Sequence, residues 1–147
     1  MKIMLVISLL LAVPVAAAGL PHCPNSGLVV KPVTFTTAKG RFSYKLEVAS
    51  NAEQQACGLM YRKSMPRSVG MDFPLAIARP ATFWMDNTPL PLDLVFVGPD
   101  DRVVSIGNGV PYSRALIDSG GVTKRIIELN AGEARRIGLK AGDKVGG

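Results

Sequence analysis

The chain has 147 residues, of which 48% are hydrophobic, and carries 17 lysines and arginines against 11 acidic residues for a net charge of +6. That length suffices for one domain with a real core and hardly for two. A single histidine, His22 near the start, leaves no means of building a histidine-centred triad or a histidine-rich metal cage in the body.

The first residues have the pattern of an export leader. Lys2 gives the positive start, Ile3 to Val15 is an almost wholly apolar run, and Ala16-Ala17-Ala18 offers small residues for cleavage after Ala18 or Gly19. The run is shorter than the ~20 apolar residues of a spanning helix and contains Pro14. Residues 1–19 are therefore expected to be a cleaved signal peptide and 20–147 a single globular domain with an N-terminal arm over 20–27. The address is periplasmic or secreted, without stable membrane insertion after cleavage. Pro21-His22 is a poor lead-in for a lipid anchor on Cys23, because such sites prefer small residues there. Removing the leader leaves a side-chain charge of about +5, which favours contact with anionic envelope polymers. The bases are scattered, and no nucleic-acid partner is expected. Cys23 and Cys57 are the only cysteines. Paired, they tie the arm to the body and contribute on the order of 3 kcal/mol through loop-closure entropy; unpaired, Cys57 is a small buried hydrophobe.

Leu28 to Thr37 reads as extended, and Ala38-Lys39-Gly40 turns it into Arg41 to Ala49. In this second strand Phe42, Tyr44, Leu46 and Val48 alternate with Arg41, Ser43, Lys45 and Glu47, the pattern of an antiparallel strand with one wet face. Ser50 and Glu53 have capping-box spacing, which predicts a helix over Asn51 to Tyr61 burying Ala52, Ala56, Leu59 and Met60. Gly70 to Leu75 and Ala81 to Met85 read as short strands interrupted at Arg79-Pro80. Leu92 to Val97 is a near-continuous apolar strand, and Gly98-Pro99-Asp100-Asp101 turns it into Arg102 to Ile106. Gly107 to Gly121 reads as a long irregular functional loop. Lys124 to Leu129 returns as a strand, Asn130 and Glu133 cap a short helix through Ile137, and Gly138 suits its left-handed exit. The expectation is an α+β fold, mainly antiparallel β, curled into a small barrel with two short helices.

Gly-Leu-Met-Tyr-Arg (58–62), Gly-Met-Asp-Phe (70–73), Phe-Trp-Met-Asp-Asn-Thr (83–88) with Pro-Leu-Asp (91–93), Ile-Glu-Leu-Asn-Ala-Gly (127–132) and Gly-Leu-Lys-Ala-Gly-Asp (138–143) resemble a bacterial and archaeal family called domain of unknown function 192. The likeness spans about Phe42 to Val145. It implies a compact, strand-rich single domain, often exported, with no activity to carry over. Asp72 departs from the family pattern, which is usually apolar there.

The stretch from Thr82 to Val97 holds the polar groups that most need a reason. Asp93 shares a strand face with Val95 and Val97, so its charge is expected near the interior, paired with Arg62 and with hydrogen bonds from the Asn87-Thr88 turn. Asp86 opens that turn beside Trp84, the only tryptophan, and is expected either to form a ligand platform with it or to serve as an Asx-type turn former. Met60, Met65, Met71 and Met85 raise a Cu(I) question, but they are spread along the sequence and methionine is ordinary core filler. No cofactor or metal is expected. The leading reading is an exported domain binding an envelope protein, an anionic polymer or a small molecule. Its candidate residues are Trp84, Asp86, Asn87, Thr88, Asp93 and Arg62, together with the 107–121 loop. Two rivals are an enzyme using Asp86 or Asp93 as acid or base and a scaffold with no small ligand.

Overall fold

The computed structural model describes Cys23 and residues 26–147. The expected leader, His22 and most of the 20–27 arm fall outside the described residues. Seven strands and two short helices follow in the order β1 (Val30–Thr37), β2 (Gly40–Val48), α1 (Ala52–Cys57), β3 (Val69–Phe83), β4 (Leu92–Val97), β5 (Val103–Gly109), β6 (Ile117–Asn130), α2 (Glu133–Ile137) and β7 (Lys144–Gly146). They form one sheet in the order β5-β4-β6-β3-β2-β1-β7, antiparallel except for the β2–β3 pair, and it curls into a half-barrel. The α+β, mainly antiparallel architecture expected from the sequence is the one present.

The alternation read in Arg41 to Ala49 places the second strand correctly: Tyr44, Leu46 and Val48 are buried while Arg41, Ser43 and Lys45 are exposed. The sheet buries both of its faces, because β4 and the second half of β6 carry apolar residues without alternation. Phe35, Tyr44, Leu46, Val95, Ile127 and Leu129 pack with Ile137 of α2 on one face. Leu59, Met71, Phe73, Leu94, Phe96 and Ile126 form the core on the other. Met65, Met71 and Met85 all lie in this second cluster, where their thioethers fill space between larger side chains.

Several local expectations are corrected. The interruption at Arg79-Pro80 does not end a strand. β3 runs through it, and the register shifts against β6 between Pro74 and Arg79 and again between Pro80 and Thr82. A strand that bends at bulges carries proline where a regular central strand does not. Likewise, the 107–121 segment is mostly ladder: β5 extends to Gly109, β6 begins at Ile117, and only 110–116 joins them. Small and polar residues in β6's first half pair with the bent end of β3 and mask its strand character.

The first helix is shorter than its apolar pattern suggested, and its cap lies one residue on. Asn51, not Ser50, accepts the Gln54 backbone N–H (2.8 Å), while the Gln54 side chain takes the backbone N–H of Ser50. Ala52 and Ala56 are exposed, and Cys57 and Leu59 are the buried residues. Cys57, on that buried side, is bonded to Cys23 of the arm, with Cα atoms 5.3 Å apart. Among the described residues no helix is long and apolar enough to cross a membrane.

Candidate functional site

α1 ends at Gly58, which has φ +49° and lies so near Phe73 that a Cβ there would come 3.2 Å from its ring. This close approach lays the chain after α1 against β3 and leaves a cavity of about 170 Å³ between them. Gln55, Cys57 and Met60 line it from the helix side, Phe73 and Phe83 from β3, Trp84 just past its end, and Thr88 from the following turn.

Glu128 of β6 also lines this cavity. It is 5% exposed, and among the described residues no hydrogen bond or ion pair reaches its carboxyl. No buried side-chain nitrogen or oxygen among them is both sealed and unpaired, so the Glu128 carboxyl faces the cavity space. Burial alone pushes it from an ordinary 4.5 up to about 8. Sequence reasoning missed this residue. Glu128 stands between Ile126, Ile127 and Leu129, and a carboxylate in so apolar a stretch of strand is the signal that could have found it.

The turn after β3 forms the cavity's edge. Thr88 donates its hydroxyl to the Asp86 carbonyl (3.0 Å), and Asp86 accepts from Arg114 Nε (2.9 Å), which fastens the turn to the 110–116 loop. The same loop gives its Tyr112 N–H to the Thr88 carbonyl, and the Met85 N–H goes to Ser113. On the other side the Tyr61 N–H donates to the Asn87 carbonyl. Tyr61, Asn87 and Tyr112 have φ of 62°, 52° and 60°, so three of the four non-glycine residues with left-handed backbone among the described residues meet at this turn. Each costs on the order of 1 kcal/mol. Tyr61, Trp84 and Tyr112 all present exposed aromatic surface here, at 47%, 50% and 65%.

Of the residues singled out from sequence, Trp84 and Thr88 line the cavity, and Asp86 and Asn87 hold the turn at its edge. The turn and the loop do meet. Asp93 and Arg62 are elsewhere, and their expected pairing is corrected. Arg62 forks onto Glu47. Asp93 is buried on the opposite face of the sheet, where it accepts the backbone N–H of Ala134 (2.8 Å). The N-cap residue of α2 is Gly132, which has no side chain to cap the helix, and Asp93 supplies the missing acceptor from β4. The expected cap, Asn130, instead donates to the Met65 carbonyl (2.8 Å). Asp72, unusual for its position, is buried and held bidentately by Arg125 at 2.7 and 3.1 Å.

A family profile for DUF192, described as "Uncharacterized ACR", matches residues 33–147. The chain belongs to the DUF192 family. Two solved structures share its fold at substantial identity. A protein of unknown function from Novosphingobium aromaticivorans is 45% identical, with a TM-score of 0.80 over 83% of this chain and 88% of that one. A protein described as a putative transcription regulator from Sinorhizobium meliloti is 38% identical, with a TM-score of 0.77 over 80% of this chain and 93% of its own. No curated protein matches the chain. The DUF192 match takes in every residue of the Glu128 cavity.

Proposed function

We propose that this DUF192 protein is an exported domain that binds a small molecule in the cavity between α1 and β3, against Glu128 and Trp84. The observation that carries the reading is a carboxyl group only 5% exposed, facing the cavity with no hydrogen-bond or ion-pair partner among the described residues. Left so, it is a cost to stability, since a buried polar group is ordinarily hydrogen-bonded. A ligand that bonds to it recovers that cost. The left-handed residues at the cavity's edge support the same reading, because strained backbone persists where surrounding structure holds it and clusters at binding sites. The Cys23–Cys57 bond supports an oxidising compartment such as the periplasm. Asp93, bound to α2 on the far face, is a structural group rather than an acid or base.

A thermal-shift screen of envelope metabolites, sugars and short peptides tests the proposal. A ligand at 100 times its Kd stabilises the native state by about 2.7 kcal/mol, a rise of several degrees for a domain of this size. The expected result is a hit whose shift disappears in both Trp84→Ala and Glu128→Gln. Hits that survive both substitutions would place binding elsewhere, and a screen without hits counts against a small ligand.

A further inference from the structure

The described groups around the cavity satisfy one another and leave one carboxyl without a partner. Gln55 commits its amide to the carbonyls of Ala49 and Pro74. Thr82 donates to Asp118, Thr88 to the Asp86 carbonyl, and Asp86 is held by Arg114. Register places Glu47, Met71, Glu128 and Leu94 in one row across β2, β3, β6 and β4, and Arg62 already forks onto Glu47, the other acid in that row. The carboxyl of Glu128 is left without a partner among the described residues, with the aromatic rings of Phe73, Phe83 and Trp84 on the same cavity.

Resting on the pocket reading above, we propose that the ligand is a small primary amine, whose ammonium group completes the ion pair with Glu128 while its methylenes lie against Phe73, Phe83 and Trp84. An ammonium carries three donors and no acceptor, so it can satisfy both carboxylate oxygens at once, and aromatic faces attract the same charge. Among the described lining residues an anionic ligand would meet a carboxyl and no cation. The volume, about 170 Å³, exceeds the ~150 Å³ that admits benzene, which suits an amine of about six heavy atoms.

The charge balance follows from the empty site. Burial keeps Glu128 protonated there at neutral pH, up to about 8. Binding a protonated amine therefore moves the carboxyl proton to solvent and leaves a carboxylate–ammonium pair.

Titration of the full chain with n-butylammonium, n-butanol and n-butyrate, followed by the emission of its only tryptophan, tests this. At pH 8.5 butylammonium should bind at least tenfold more tightly than butanol, and Glu128→Gln should abolish the preference. Calorimetry of the unmodified protein at pH 7 in two buffers of different ionisation enthalpy should count close to one proton released, a readout independent of how the variant folds. Equal binding of butanol or butyrate, or no proton release, overturns the amine assignment and leaves the pocket standing. If none of the three ligands perturbs Trp84, the pocket reading falls with it.

Discussion

Glu128 makes the stability of the native protein depend on pH in an unusual direction. Its carboxyl rises from an ordinary 4.5 to about 8 on folding, so between those values the native state keeps a proton that the unfolded chain has released. Stability then falls as pH rises across that window. Glu128→Gln has no such penalty. We expect the variant to match the parent near pH 4 and to exceed it progressively above, by roughly 4 kcal/mol at pH 8, as read from urea unfolding across the series. A constant gap from pH 5 to 8 would mean that the carboxyl is solvated. At this scale the sequence was partly legible. Trp84 and Thr88 stand out because a lone tryptophan and a turn cluster mark themselves locally. Glu128 does not, because its isolation is a property of the strands on either side of β6 and of what crosses them.

The short helices show how elements borrow their termini. α2 begins at a left-handed glycine, and its first turn relies on Asp93, 41 residues earlier on a neighbouring strand. Removing that acceptor should cost what a lost N-cap costs, about 1–2 kcal/mol, rather than the larger penalty of a broken buried ion pair. Asp93→Asn keeps an acceptor and should lose less than Asp93→Ala. Denaturant midpoints of the two variants decide it, and an unchanged midpoint for Asp93→Ala would remove Asp93 from the helix. Strand positions were readable wherever period-2 alternation held, as in β2. They were lost where bulges and prolines broke the period in β3 and where glycine and serine diluted it in β6. The Asp93 partner could not be read at all, since neither Ala134 nor its position carries a charge that marks it.

For the molecule as a whole, the Cys23–Cys57 bond closes a 34-residue separation and fastens the arm to the helix that walls the cavity. Its reduction should lower stability by about 3–4 kcal/mol on loop-closure grounds and broaden the emission of Trp84 across the same cavity. Thiol titration of denatured, unreduced protein from its native host should find no free thiol; two would count against both the bond and the oxidising address. Composition and strand pattern were enough to anticipate a curled, mainly antiparallel sheet. Which strands meet at the rim was not legible, because the sheet order and the accumulated twist that bring β5 to β7 leave no mark on either strand.

That meeting determines how another chain can approach. The outermost strands, β5 and β7, join through an Arg102–Lys144 bridge, with Val103 donating to the Asp143 carbonyl and Val145 to that of Asp101. The far half of β5 lies against the bent β6, where Ser105 donates to the Ser119 carbonyl (2.6 Å). On β1, the residues before the Thr34–Thr36 pairing with β7 include Lys31 and Pro32, a charge and a missing N–H that deter added strands. At this rim a visiting peptide thus finds little open ladder to extend, and recognition that works through main-chain pairing has small purchase between β5, β7 and β1. A partner approaching that rim would have to be chosen by side-chain shape and charge.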